Sequence, residues 1–142
     1  LNSMYPEIGR IMMAYDKKFK VFMKNALKNN NLTVAEALVL LSLYENDGQT
    51  QDMLLSSIYY DKSVMTRTMK ALEDRGLISR SSNPDDGRSW IFHLKKSGRD
   101  LKPEIVQALR DWCSIVFDGM DEARSAEMLE LLREVYANVN KE

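Results

Sequence analysis

A single cysteine, Cys113, and a single histidine, His93, are all the chain offers toward disulfide, zinc or imidazole chemistry. One cysteine excludes an intrachain disulfide framework, and with no cysteine neighbour it builds no zinc site. His-x-x-x-His, Cys-x-x-Cys and a phosphate-binding glycine loop are all missing. Cys113 with His93 would be the sole nucleophile and base, yet no local signature surrounds either residue. Asp85-Asp86 reads as turn chemistry rather than acid and base. The expectation is therefore a protein that is not an enzyme and carries no metal or cofactor. No run of eighteen apolar residues occurs, so no membrane partner is expected. The opening residues have no basic-then-apolar leader pattern, which makes a soluble, cytoplasmic chain the expectation. Internal repeats and low-complexity segments are also absent.

What is present is enough for a substantial core. The 142 residues are 44% apolar, which fits one domain or one domain with helical arms. The net charge of −1 conceals a division along the chain. Tyr59 to Lys102 holds 10 Lys/Arg against 6 Asp/Glu, a balance of +4, and the remainder carries −5. Acidic flanks of this kind would orient the basic third toward a polyanion.

Helical periodicity organises most of the chain. Pro6 suits a first turn, and Ile8, Met12, Tyr15, Phe19, Phe22 and Ala26 then recur at steps of four and three until Asn29-Asn30-Asn31. So long an apolar stripe exceeds what a small domain covers easily and suggests packing against a second chain; packing on its own domain is the other reading. Thr33 with Glu36 forms a capping box, which starts a second helix at Val34 and carries it to about Glu45, before Asp47-Gly48. Thr50 caps a short third helix with Leu54, Leu55 and Ile58 inward.

The stretch DKSVMTRTMKALEDRG, Asp61 to Gly76, follows. Asp61 is a plausible N-cap and Gly76 a plausible left-handed residue past the helix end. At about 100° per residue, Ser63, Thr66, Arg67 and Lys70 share one face, while Met65, Thr68, Met69 and Leu72 fall opposite. Short hydroxyl side chains beside Arg and Lys suit a helix that enters a DNA major groove, since bulkier residues would hold its backbone away from base edges. The competing reading is an ordinary surface helix with a solvated charged face. A short helix, a brief turn and a cationic helix make a helix-turn-helix.

Beyond Gly76 the period changes to two. Residues 77–81 and 89–94 read as short strands joined by Asn83-Pro84-Asp85-Asp86-Gly87-Arg88, a hairpin with a charged tip. Arg88 at that tip would reach a narrow minor groove, with Asp86 holding its guanidinium; an ion pair that only stabilises the turn is the alternative. A further helix begins near Ser97, and Pro103 should kink or restart it. Leu101, Ile105, Ala108, Trp112 and Ile115 then share a face as far as Gly119. Met128, Leu132, Val135 and Val139 give the last helix its stripe.

The chain resembles the MarR family of winged helix-turn-helix transcriptional regulators. The matching stretches are Leu32-Thr33, Asp61-Lys62-Ser63 with Thr66-Arg67, Leu72-Glu73-Asp74-Arg75-Gly76-Leu77-Ile78 with Arg80, and Asn83 to Arg88 followed by Leu94 and Gly98. They run in order and at the family's spacing from residue 32 to 98. The resemblance implies a mainly α fold with a small β-hairpin. A winged helix-turn-helix DNA-binding domain at 33–98 would be flanked by a dimerisation helix at 1–32 and dimerisation helices at 99–142. It implies a homodimer that binds double-stranded DNA at a pseudo-palindromic operator, most simply as a repressor. By position it makes Ser63, Thr66, Arg67 and Lys70 the recognition-helix contacts, and Asp86 and Arg88 the wing pair. Asn83, Gly87 and Lys95 depart from the family's usual Asp, Arg and Thr. A small aromatic effector is implied as a possible partner, with Tyr15, Phe19 and Trp112 open to a pocket role or a core role. Cys113, in mid-helix, reads as packing rather than as a redox sensor. A different class stays open from the residues alone: a winged helix turned protein-interaction module, its basic face meeting an acidic partner and showing no preference for one DNA sequence.

Overall fold

The structure is a computed structural model describing residues 1–141. Two compact units make up the chain, Leu1–Leu109 and Arg110–Glu142. In the first, α1 (Met4–Ala26) is followed by a short 3₁₀ turn (Lys28–Asn30), α2 (Val34–Glu45), strand β1 (Gln49–Thr50), α3 (Gln51–Ile58), α4 (Lys62–Asp74), strands β2 (Ile78–Asn83) and β3 (Asp86–Leu94), and α5 (Lys96–Asp100). Then come α6 (Lys102–Val116) and α7 (Glu122–Val139).

α2 is the helix around which the first unit packs. Its start is locked as the sequence predicts: the Thr33 hydroxyl accepts the Glu36 amide at 3.1 Å while the Glu36 carboxylate accepts the Thr33 amide at 3.0 Å. Ala37, Val39, Leu40 and Leu43 are all buried, joined in one core by Met23, Leu27, Leu54, Met65, Leu72, Ile78 and Ile105. Glu36 is itself buried, and Arg75 just past α4 reaches it at 3.2 Å while donating to the Asn30 and Asn31 carbonyls. The charge pair therefore ties the end of α4 to the start of α2.

α1 does not bury its apolar stripe uniformly. Ile8, Met12 and Tyr15 are exposed; Phe19 and Phe22 pack on the core, and the buried residues are Met23 and Leu27 rather than Ala26. The stripe drifts because consecutive steps of four and three do not match 3.6 residues per turn, and the docked half settles one residue later. In α7 no residue is buried, and Leu132, Val135 and Val139 are exposed together with Leu129, Leu131 and Tyr136.

Where a two-stranded hairpin is expected, the sheet has three antiparallel strands in the order β1-β3-β2. Gln49 pairs with Phe92 and Thr50 with Ile91. Side chains hold this short edge: the buried Gln49 amide donates to the Ser42 and Asn46 carbonyls, and Asp47 accepts the Leu94 amide at 2.8 Å. The β2–β3 register runs from Ile78 opposite Leu94 to Ser82 opposite Trp90, then jumps to Asn83 opposite Asp86. Gly87, Arg88 and Ser89 thus form a bulge, and the turn is only Pro84-Asp85, shorter than the six-residue tip expected from its turn formers.

Pro103 restarts the helix, as its chemistry requires. α5 ends at Asp100, and α6 begins at Lys102 with Pro103 in its first turn, where no intrahelical amide bond is forgone. Lys95 caps α5 without a side-chain hydrogen bond, so the departure from threonine does remove the cap.

Candidate nucleic-acid interface

α4 is amphipathic and both its ends are sealed. The Asp61 carboxylate accepts the Val64 amide at 2.8 Å and the Ser63 hydroxyl at 2.7 Å. Those two bonds, the Ser63 one foremost, hold the Asp61 carboxyl below its usual range, so the cap remains ionised at neutral pH. At the other end Gly76 adopts φ +71°, its amide bonding Glu73 and the Leu77 amide bonding Leu72, a Schellman closure with Leu72 and Leu77 both buried. Met65, Thr68, Met69 and Leu72 face the core, and Ser63, Thr66, Arg67 and Lys70 face outward, the division the periodicity predicts.

The outward side chains differ in what they have left to offer. Ser63 donates its hydroxyl proton to Asp61, and Thr66 donates its own to the Lys62 carbonyl at 2.8 Å. Both oxygens keep acceptor capacity. Lys70 pairs with Asp74 at 3.2 Å across exposed surface, a weak tie, whereas Arg67 has no hydrogen bond among the described residues.

Periodicity within α4 alone cannot find the residues beside it. Gln51, first in α3, donates its amide to the Thr66 hydroxyl at 2.8 Å and so steadies the middle of the outward face. Gln51, Lys62, Arg88, Ser89 and Trp90 line an open groove of about 400 Å³ between the starts of α3 and α4 and the wing. A sequence signal existed: Gln51 and Lys62 each directly follow an N-cap.

In the wing, Arg88 is 95% exposed with its Nε 3.6 Å from Asp86 Oδ1, and the same oxygen accepts the Arg88 amide at 3.0 Å. The Asp86 carboxylate therefore shapes the bulge while only loosely holding the guanidinium. Arg80 does more. It lies 4.4 Å over the Trp90 ring centre and 3.2 Å from the Glu73 carboxylate, clasping β2, β3 and the end of α4 together. In a Trp112→Phe background, Arg80→Ala should lower unfolding free energy by about 1 kcal/mol and shift Trp90 emission. Unchanged emission and an unchanged urea midpoint would show that the clasp does not form.

A helix-turn-helix with a hydroxyl-and-cation face, a wing with an exposed arginine near its tip and a bridging groove defines the class of winged helix-turn-helix, DNA-binding transcriptional regulators. Residues 32–90 match the MarR family. The chain is 23% identical over 134 residues to the HTH-type transcriptional regulator BilQ of Clostridioides difficile (strain CD3), covering 94% of this chain and 90% of that protein. It is 32% identical over 83 residues to the organic hydroperoxide resistance transcriptional regulator of Bacillus subtilis (strain 168), covering 58% of this chain and 56% of that one. Reduced AbfR bound to DNA shares the fold with a TM-score of 0.79 at 20% identity, over 97% of this chain and 95% of that one. Over residues 32–90 the chain therefore carries the MarR-family pattern.

Proposed function

We propose that two copies of this chain bind a pseudo-palindromic operator and repress transcription from it, and that an unidentified small molecule modulates the binding. The observation that carries this reading is the outward face of α4, which leaves Arg67 uncommitted on a helix whose opposite face is core. In this reading Ser63, Thr66, Arg67 and Lys70 enter the major groove, and Arg88, shaped by Asp86, enters the adjacent minor groove. Ser63 and Thr66, their protons already committed, would accept hydrogen bonds from the exocyclic amines of adenine or cytosine. The segment 33–98 would be the reading head. The exposed apolar residues of α1 and of α7 supply the surfaces on which a second copy would pack.

Selection of bound sites from random duplexes tests the whole reading. The expected product is an inverted repeat with half-sites about one helical turn apart, preferred over bulk DNA by at least about a thousandfold. No preference, or a lone subunit in sedimentation, would end the proposal. Arg67→Ala should cost about 1–3 kcal/mol on the operator and relax one base position; equal losses on random DNA would make Arg67 a phosphate contact. Arg88→Ala should lower the salt slope of binding by about one unit. An unchanged slope would leave Arg88 as a turn-stabilising residue.

A further inference from the structure

Gln51 opens α3 and Thr66 lies in the middle of α4, and one side-chain bond joins them across the two helices. Both ends of that bond are firmly based. The Thr50 hydroxyl caps α3 by accepting the Met53 amide at 3.2 Å, Leu54 one turn on is fully buried, and so is Met65 beside Thr66. The proton positions follow from the partners. The Lys62 carbonyl lies 2.8 Å from the Thr66 oxygen and can only accept, so the single hydroxyl proton goes to it. The Gln51 side-chain nitrogen, 2.8 Å from the same oxygen, therefore donates. With its carbon, its proton and one lone pair engaged, the oxygen keeps one lone pair, whose direction the other three fix.

An exposed threonine ordinarily has a rotating hydroxyl that donates or accepts as its surroundings ask. Thr66 has lost that freedom. Turning its proton outward would break the bond to the Lys62 carbonyl, and donation from Gln51 polarises the hydroxyl so that this bond is stronger than it would otherwise be. In the major groove adenine and cytosine offer an amine hydrogen, whereas thymine presents a carbonyl oxygen and guanine a carbonyl oxygen and a ring nitrogen. We propose that Gln51, which lies off α4, is a specificity-determining residue of this chain. By donating to Thr66 it holds that hydroxyl as a single outward acceptor, and so selects adenine or cytosine over thymine or guanine at the base Thr66 meets. Opposite thymine or guanine, lone pair would face lone pair with no proton between them. Gln51 acts through Thr66 and is a positioning residue. The selection rests on the DNA-reading role proposed above for α4; the polarity of the hydroxyl does not.

Two measurements test this, the first without DNA. In nuclear magnetic resonance spectra of the free protein, Thr66→Val should move the side-chain amide signals of Gln51, because the acceptor oxygen is gone while the side-chain shape is kept. Unmoved signals would overturn the proposal whether or not the chain reads DNA. The second is selection of bound sites by the wild type, Gln51→Ala, Thr66→Val and the double variant, all of which should keep the wild-type thermal midpoint. The wild type should take adenine or cytosine at one position, and either single variant should lose roughly fivefold to tenfold of that preference at the same position. The double variant should lose no more than Thr66→Val alone, since the two residues act as one. Thymine or guanine selected at that position, additive losses, or relaxation by Gln51→Ala at a different position would each overturn the proposal. So would an equal loss from Gln51→Ala on operator and random duplexes, which would make Gln51 a phosphate contact. A chain whose Gln51 signals move as expected but which prefers no duplex would end the DNA reading and the selection with it, leaving the hydroxyl's polarity in place, so the two failures are distinguishable.

Discussion

Gly98→Ala should destabilise the first unit by about 3 kcal/mol, lowering the urea midpoint without altering the slope. Gly98 is buried in α5, and a Cβ built there falls on the Leu77 carbonyl oxygen, well inside contact distance. Relief would require one backbone segment to withdraw, and both are tethered. The Leu77 carbonyl accepts the Lys95 amide at 3.0 Å, and the Gly98 carbonyl accepts the Tyr44 hydroxyl. Burial pushes the Tyr44 phenol up to about 12, which keeps it protonated as the donor of that bond, and the Lys102 ammonium sits 5.8 Å from its ring centre. Ser97 adds a bond of 2.7 Å to the Gly76 carbonyl, so the start of α5 is stitched to the exit of α4. A loss under about 0.5 kcal/mol would mean that α5 slides freely and that this contact does not position the wing root.

Leu72→Ala should cost about 2–5 kcal/mol, the range for a fully buried leucine whose cavity the surroundings only partly fill. Leu72 is 0% exposed in the shared core, and its carbonyl accepts the Leu77 amide that closes α4. Its outward neighbours should behave in the opposite way, since surface substitutions usually change stability by no more than about 0.5 kcal/mol. Denaturation of Leu72→Ala beside Arg67→Ala separates the two faces. Similar losses from both would show that α4 is not held as the packing indicates. In the proposed reading, operator affinity per folded molecule should survive Leu72→Ala better than Arg67→Ala, because only the latter removes a group proposed to contact DNA.

Where a structural feature is encoded by residues a few positions apart, the chain could be read directly. α2 begins at Val34 and ends at Glu45 as the capping box and the Asp47-Gly48 break indicate, since both signals lie within a turn of the boundary they set. The inward and outward faces of α4 follow from periodicity alone, and Pro103 announces the restart at α6. The third strand gave no such signal. Gln49 and Thr50 are too few for a pattern, and they become a strand because Asp47 and Gln49 hydrogen-bond to groups that folding brings alongside. The wing tip misled for a related reason. Its six turn-forming residues have the composition of a loop, yet cross-strand pairing of Asn83 with Asp86 draws all but Pro84 and Asp85 into the sheet.

The candidate site divides in the same way. Ser63, Thr66, Arg67 and Lys70 lie on the face that helical geometry gives them, and Asp86 with Arg88 marks the bulge that their own local bonds shape. Local order alone determined that much, because rotation per residue and capping depend on neighbours within one or two turns. Docking decided the rest: the Gln51 amide on Thr66 and the Arg80 clasp between Glu73 and Trp90. Each of these joins separate elements, and how those elements meet is set by the packing of Leu40, Leu43, Leu54 and Leu72 into one core rather than by any spacing along the chain.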